Sequence, residues 1–143
     1  MSLEYTTVEL NTKEQMLSAY KIMHELYPEL TQEEYSKNLD EMIPKSYKQV
    51  LVLNNEEMIG LSGYWIGTKL WCGKYLEMDN VVVSENYRGK GVANLLSEKL
   101  HEVAQVNNCK MMCLDAYTEN LPALKFYVKA GFVPRGFHYI KHL

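Results

Sequence analysis

Between Asp79 and Leu100 the chain reads DNVVVSENYRGKGVANLLSEKL, with Arg88-Gly89-Lys90-Gly91-Val92-Ala93 at the handover from a β-branched run to an amphipathic helix. The first amides of a helix have no intrahelical partner, and its N-terminus carries about half a positive charge. Gly89 and Gly91 carry no side chains, so an anion can reach those backbone N–H groups directly, and Arg88 and Lys90 add formal charge. The chemistry on offer is phosphate binding. A P-loop, G-x-x-x-x-G-K-[ST], is absent. The dinucleotide fingerprint G-x-G-x-x-G matches only in part, because Asn94 stands in the third glycine's place, although Asp115 mimics the expected ribose-binding acid. That motif also comes too late in the chain to leave room for a doubly wound sheet. Just upstream, Glu77 and Asp79 lie two residues apart on an otherwise apolar strand, where an unpartnered charge is costly.

The elements that must position these groups follow from periodicity and capping residues. EYTTVEL, Glu4–Leu10, alternates as a strand. Thr12 with Gln15 opens a helix running to about Tyr27, with Met16, Ala19, Tyr20 and Met23 inward; Pro28 ends it. Thr31 with Glu34 caps a second helix to about Met42, before Pro44. Tyr47–Leu53 is a strand, Asn54-Asn55 a turn, and Glu57–Gly67 its hairpin partner. Gly60, Gly63 and Gly67 predict a bulge or a close approach by another group there. Tyr75–Val83 is the next strand. Val92, Leu95, Leu96, Leu100, Val103 and Ala104 recur at helical spacing, and KMMCLDAY is a buried strand. NLPALKFYVKA is a helix with Pro122 in its first turn and Gly131 at its C-terminal cap, and Phe132–His142 is a closing strand. The order β-α-α-β-β-β-α-β-α-β implies a mixed sheet with helices on both faces, an α+β (α/β) single domain spanning residues 1–143.

Composition narrows the partners. The 143 residues are 47% hydrophobic and 23% charged, an ordinary globular balance. The net charge of −3 and pI near 5.8 argue against nucleic acid, which calls for a basic face. That total hides a split: residues 1–70 carry eleven acids against six Lys/Arg, and residues 71–143 seven against nine. A cationic ligand on one side and an anionic one on the other would suit it. No apolar run approaches the roughly 20 residues of a membrane span, and the N-terminus has no signal-peptide pattern, so a cytoplasmic location without membrane attachment is expected. Cys72, Cys109 and Cys113 form no C-x-x-C pair, and His24, His101, His138 and His142 are scattered. Neither a metal site nor a Ser-His-Asp site is expected.

Arg88-x-x-Gly91-x-Ala93 matches the [Q/R]-x-x-G-x-[G/A] acyl-CoA signature of the GNAT N-acetyltransferase superfamily. Asn120-x-x-Ala123-x-x-Phe126-Tyr127 followed by Gly131-Phe132 resembles that family's second motif, and the element order is similar over essentially the whole chain. The chain thus resembles a small bacterial-type member.

The resemblance implies an enzyme that moves an acetyl group from acetyl-CoA to a primary amine by direct attack in a ternary complex. The strand Tyr75–Val83 would splay from its neighbour, with Val81 and Val83 pairing with the pantetheine arm and a backbone N–H near Val82 or Val83 facing the developing oxyanion. Amides from Gly89 through Lys90, Gly91, Val92 and Ala93 to Asn94, with Arg88, would hold the pyrophosphate, and Asn120 would lie near the sulfur. Tyr127 matches the general acid, and Glu77 or Asp79 the base or water-holder. A base is needed because an amine of pKa about 10.4 is only about one part in 10³ neutral at pH 7, a cost of about 4–5 kcal/mol. The acceptor should meet the segment HELYPELTQEEY, where Glu25, Glu29, Glu33 and Glu34 give a negative field, with Tyr27, Tyr35 and Trp65 as an apolar wall. It would be a small-molecule or peptide amine. The rival reading is a non-catalytic acyl-CoA sensor, and a homodimer through Phe132–Lys141 stays open.

Overall fold

The alternating and capped segments fold into ten elements in the computed structural model, which describes residues 4–143. Residues 1–3 of the single-domain span lie outside the described residues. The strands are β1 (Thr6–Leu10), β2 (Lys48–Asn54), β3 (Glu57–Lys69), β4 (Gly73–Val83) and β5 (Met111–Leu114). The helices are α1 (Lys13–Ser18), α2 (Tyr20–Leu26), α3 (Gln32–Met42), α4 (Val92–Val106) and α5 (Leu121–Lys129). The sheet order is β1-β2-β3-β4-β5, antiparallel throughout except for the parallel β4–β5 pair, which α4 joins. This is the mixed α/β sheet expected.

Each face of the sheet has its own core. One buries Met16, Ile22, Met23 and Leu39 of α1–α3 against Leu51, Leu61 and Val82. The other buries Val92, Leu96, Leu100 and Val103 of α4 against Val50, Val52, Ile59, Leu76 and Met78. α4 comes close because Gly60 has no side chain: a Cβ there would collide with the Val92 side chain. Both expected capping boxes form, Thr12 with Gln15 and Thr31 with Glu34.

Two expectations fail. The helix expected from Thr12 to Tyr27 breaks at buried Ala19, whose φ of −101° and ψ of 13° leave the helical region. The break separates α1, which packs on α3, from α2, which turns onto β3 and β4. The closing strand does not form either. Phe132–His142 alternates well, but a strand exists only where a neighbour takes its hydrogen bonds, and β5 pairs with β4 alone. Pro134 removes a donor as well. Val133, Phe137, Tyr139 and Ile140 are accordingly at least 70% exposed.

Candidate active site

After β4 the chain makes a short turn at Glu85–Tyr87, and the Ser84 N–H donates to Ile59 O at 2.9 Å. Tyr87 fastens this turn, donating to Glu57 at 2.8 Å and accepting from Asn54 at 3.0 Å. Gly89 and Gly91 then adopt φ of +74° and +86°, left-handed values that a side chain resists. A Cβ on either would meet no atom within 4 Å, so steric crowding does not explain them; backbone conformation and open approach do. Gly91 caps α4 without any side-chain hydrogen bond, and the first helical bond runs from Leu95 N–H to Gly91 O. The amides of Val92, Ala93 and Asn94 are thus free to face an anion. The Arg88 Nε donates to Val83 O at 3.4 Å, and the Lys90 ammonium lies 5.5 Å from the Tyr87 ring centroid. Both cations are held beside the loop, and the junction suits a pyrophosphate.

β4 and β5 pair only from Tyr75–Met111 to Met78–Leu114 and then diverge. Beyond Met78, β4 continues to Val83 with β3 as its one neighbour, so the β5-facing edge of Val81–Val83 carries no ladder bonds. A bulge falls at the divergence. Asp79 sits opposite Gly63 and Val82 opposite Leu61, leaving Asn80 and Val81 to face Ser62 alone. Asn80 takes a φ of +54° there. The extra residue reverses the alternation: Leu76 and Met78 point to α4, whereas Val82 joins the core under α1–α3.

The two acids of β4 have different surroundings. Asp79 is fully engaged, accepting from Trp65 Nε1 and from the Asn80 N–H, both at 2.9 Å. Glu77 lies between Trp65 on β3 and Cys113 on β5, half-buried. Burial raises its carboxyl above the usual range, with the nearby Asp115 and Asp79 charges adding to it, while Lys69 and His138 pull it back. That is the environment of a proton acceptor. His138 Nδ1 lies 3.1 Å from Asp115, which brings the C-terminal segment beside these acids. Burial, then Glu77, pushes the Cys113 thiol up to about 11, which leaves it unreactive.

A chain of hydrogen bonds ties the bulge to the helical arm. Asn80 Oδ1 accepts from the Tyr47 hydroxyl at 2.7 Å, and Asn80 Nδ2 donates to the Tyr27 hydroxyl at 2.9 Å. Gln49 Nε2 donates to the Tyr35 and Tyr47 hydroxyls at 2.7 and 3.1 Å. Gly63 makes room, since a Cβ there would strike both Tyr47 and Asn80. Ser84 donates to Glu25 at 3.1 Å, giving a second tie from α2 to the end of β4. Between this arm and the sheet is a cavity of about 520 Å³ lined by Met23, Leu30 and Met42, the rings of Tyr27, Tyr35 and Tyr47, the amides Asn38 and Asn80, and Glu29 and Glu34. Of the residues expected on the acceptor side, Tyr27, Tyr35, Glu29 and Glu34 line this cavity, whereas Glu25 and Trp65 do not: Glu25 bonds Ser84 and Trp65 bonds Asp79. Sequence reasoning missed Asn80, Tyr47, Gln49 and Asn38; an asparagine inside a strand whose partner strand is interrupted by glycines was the available signal.

Asn120 caps α5, its Oδ1 accepting from the Ala123 N–H at 3.3 Å, with Pro122 in the first turn. The helix ends in a Schellman turn: Gly131 at φ +100°, its N–H on Val128 O, and the Phe132 N–H on Tyr127 O at 2.9 Å. Tyr127 is set edge-on between Phe126 and Phe132 at 5.3 and 5.7 Å, half-buried against the core on the α4 face. Burial alone raises its hydroxyl, so it stays protonated at neutral pH. The remaining expected residues fall in the β4–β5 divergence, the loop and the cavity as described.

The acetyltransferase (GNAT) family model matches residues 15–132, and the chain belongs to that family. A Bacillus subtilis (strain 168) protein described as an uncharacterised N-acetyltransferase is 36% identical over 76 residues, covering 53% of this chain and 31% of that relative. The chain thus spans about a third of that relative's length. The glucosamine 6-phosphate N-acetyltransferase of Candida albicans is 27% identical over 113 residues, covering 76% and 74%. Among solved structures, AAC(6')-Iy in complex with a CoA-containing bisubstrate analog superposes with a TM-score of 0.82 at 18% identity, over 98% and 99% of the two chains. That likeness establishes the shared fold.

Proposed function

We propose that this chain is an acetyl-CoA-dependent N-acetyltransferase that works as one domain and acetylates a primary amine with both substrates bound at once. One observation carries the reading: β4 and β5 diverge immediately before the glycine-bracketed start of α4, leaving an open strand edge that leads into unpaired helix amides. Val81 and Val83 would pair along an extended amide-bearing arm. The amides of Gly89 to Asn94 would hold the pyrophosphate beside Arg88 and Lys90, and Asn120 keeps its amide nitrogen free of the α5 cap for the sulfur end. Acetyl-CoA supplies an acyl group activated as a thioester.

The chain's own groups then do the rest. Glu77 accepts the proton of the incoming ammonium, directly or through water, because its carboxyl is desolvated and has no fixed donor. Asp79, held by Trp65 and the Asn80 amide, positions the bulge. A backbone N–H of Val82 or Val83 faces the carbonyl oxygen. Tyr127 keeps a proton on its hydroxyl for the departing sulfur. Glu25, Tyr27, Glu29 and Trp65 form the acceptor side. A homodimer through Phe132–Lys141 is part of the proposal, supported by the exposure of Phe137, Tyr139 and Ile140.

The test is CoA-thiol release with a panel of amines, alongside acetyl-CoA binding. Tyr127→Phe and Glu77→Gln should each lower kcat by about 10²-fold while acetyl-CoA affinity holds. Binding without thiol release from any amine would instead identify a sensor, and no acetyl-CoA binding would refute the reading outright.

A further inference from the structure

The acceptor cavity carries charge of one sign. Glu29 and Glu34 line it, and no lysine, arginine or histidine does. Neither carboxylate belongs to an ion pair among the described residues. Glu34 is only half used: one of its oxygens accepts from the Thr31 N–H at 3.2 Å, leaving the other free. An anionic substrate such as a sugar phosphate would meet like charge here and no counter-charge.

The rest of the wall is apolar and aromatic, and it extends to the reacting end. Tyr27 is 40% exposed, and its hydroxyl is bonded to Asn80, the residue after Asp79. Tyr35 is buried and linked through Gln49 to Tyr47, so the ring wall is rigid. Gln49, which makes that link, is itself fully buried and does not reach the cavity. The layout therefore runs from the β4 acids, across aromatic faces that attract cations, to a pair of unpaired carboxylates.

Resting on the transferase reading, we infer that the acceptor is a dication: a primary amine joined by an apolar segment to a second ammonium group, with no phosphate or carboxylate. The reactive amine sits at Glu77, the spacer lies against Tyr27 and Tyr35, and the distal ammonium is held by Glu29 and Glu34.

Three acceptors with the same reactive amine test this: 1,5-diaminopentane, 1-aminopentane and 5-aminopentanoate. Each is titrated calorimetrically into the full chain with CoA, which cannot react, and separately assayed for CoA release with acetyl-CoA. The diamine should bind at least tenfold tighter than the monoamine, the amino acid should bind weakest, and 1 M salt should compress the series. In the Glu29→Gln/Glu34→Gln double variant the diamine-to-monoamine ratio should collapse toward one, and circular dichroism checks its fold. Equal binding of the three by the wild type, tighter binding of 5-aminopentanoate, or a ratio that survives in the variant overturns the inference. Selective diamine binding without any CoA release leaves the inference standing and removes the transferase reading instead.

Discussion

Asn80 gives the sharpest test of how the site is held. Replacing it with alanine removes the acceptor of the Tyr47 hydroxyl and the donor to Tyr27, in a residue at φ +54°. Tyr47 is 1% exposed, so its stranded proton costs about 1–3 kcal/mol. The half-exposed Tyr27 contact adds about 0.5–1 kcal/mol. Alanine in the left-handed region adds about 1 kcal/mol. The expected loss is about 2.5–5 kcal/mol, read from urea unfolding with linear extrapolation, and on the order of 10 °C in Tm. Asn80→Gly should be milder, relieving the strain but loosening the unfolded chain. The decisive measurement is a double-mutant cycle with Tyr47→Phe. Once Asn80 is gone, deleting the Tyr47 hydroxyl removes an unpaired group, so the two losses should fall short of additive by about 1–2 kcal/mol. Additivity within about 0.5 kcal/mol would refute the idea that this hydrogen bond pins the bulge to the helical arm.

Three further outcomes follow from the same geometry. Because the Glu77 carboxyl is raised in the folded chain, the native state binds more protons than the unfolded state between the ordinary and raised values. Stability should therefore fall as pH climbs through that window, while kcat rises; Glu77→Gln should flatten both profiles, in denaturant melts and thiol-release assays respectively. Gly91→Ala should cost about 1 kcal/mol from its φ of +86° and weaken acetyl-CoA binding at least tenfold by calorimetry, with the equally open but unstrained Gly136→Ala as a neutral control. Gly60→Ala should cost about 1–3 kcal/mol in melts, since α4 must move off the sheet to clear Val92.

Features written in local sequence were legible. The capping boxes at Thr12 and Thr31, the helical spacing of Val92 to Ala104, and the glycine junction all depend on residues within one or two turns of each other. What escaped depends on distant chain. The break at Ala19 reflects where α2 meets β3 and β4. The tail's alternating pattern predicts a strand, but only a neighbour could make it one. Tyr47, Gln49 and Asn80 look like ordinary strand residues until a bulge and a missing Cβ at Gly63 let them meet. Tyr127 and Asn120 were singled out by the resemblance to the family's second motif, and the structure adds that Asn120 caps the helix carrying Tyr127.

The bulge also divides β4 into two parts that serve different faces of the sheet. Before Asn80, Leu76 and Met78 enter the core under α4; after it, Val82 enters the core under α1–α3 and the chain leads to the loop and α4. Excising Asn80 would restore a regular ladder and rotate everything downstream by half a strand repeat, turning Val82 out of its core and swinging the α4 terminus away. With the extra residue kept, Trp65 and the Asn80 amide hold Asp79 at the point where the strand changes face. One strand thereby belongs to both cores at once, so a change that loosens either face is transmitted along a single backbone to the start of α4.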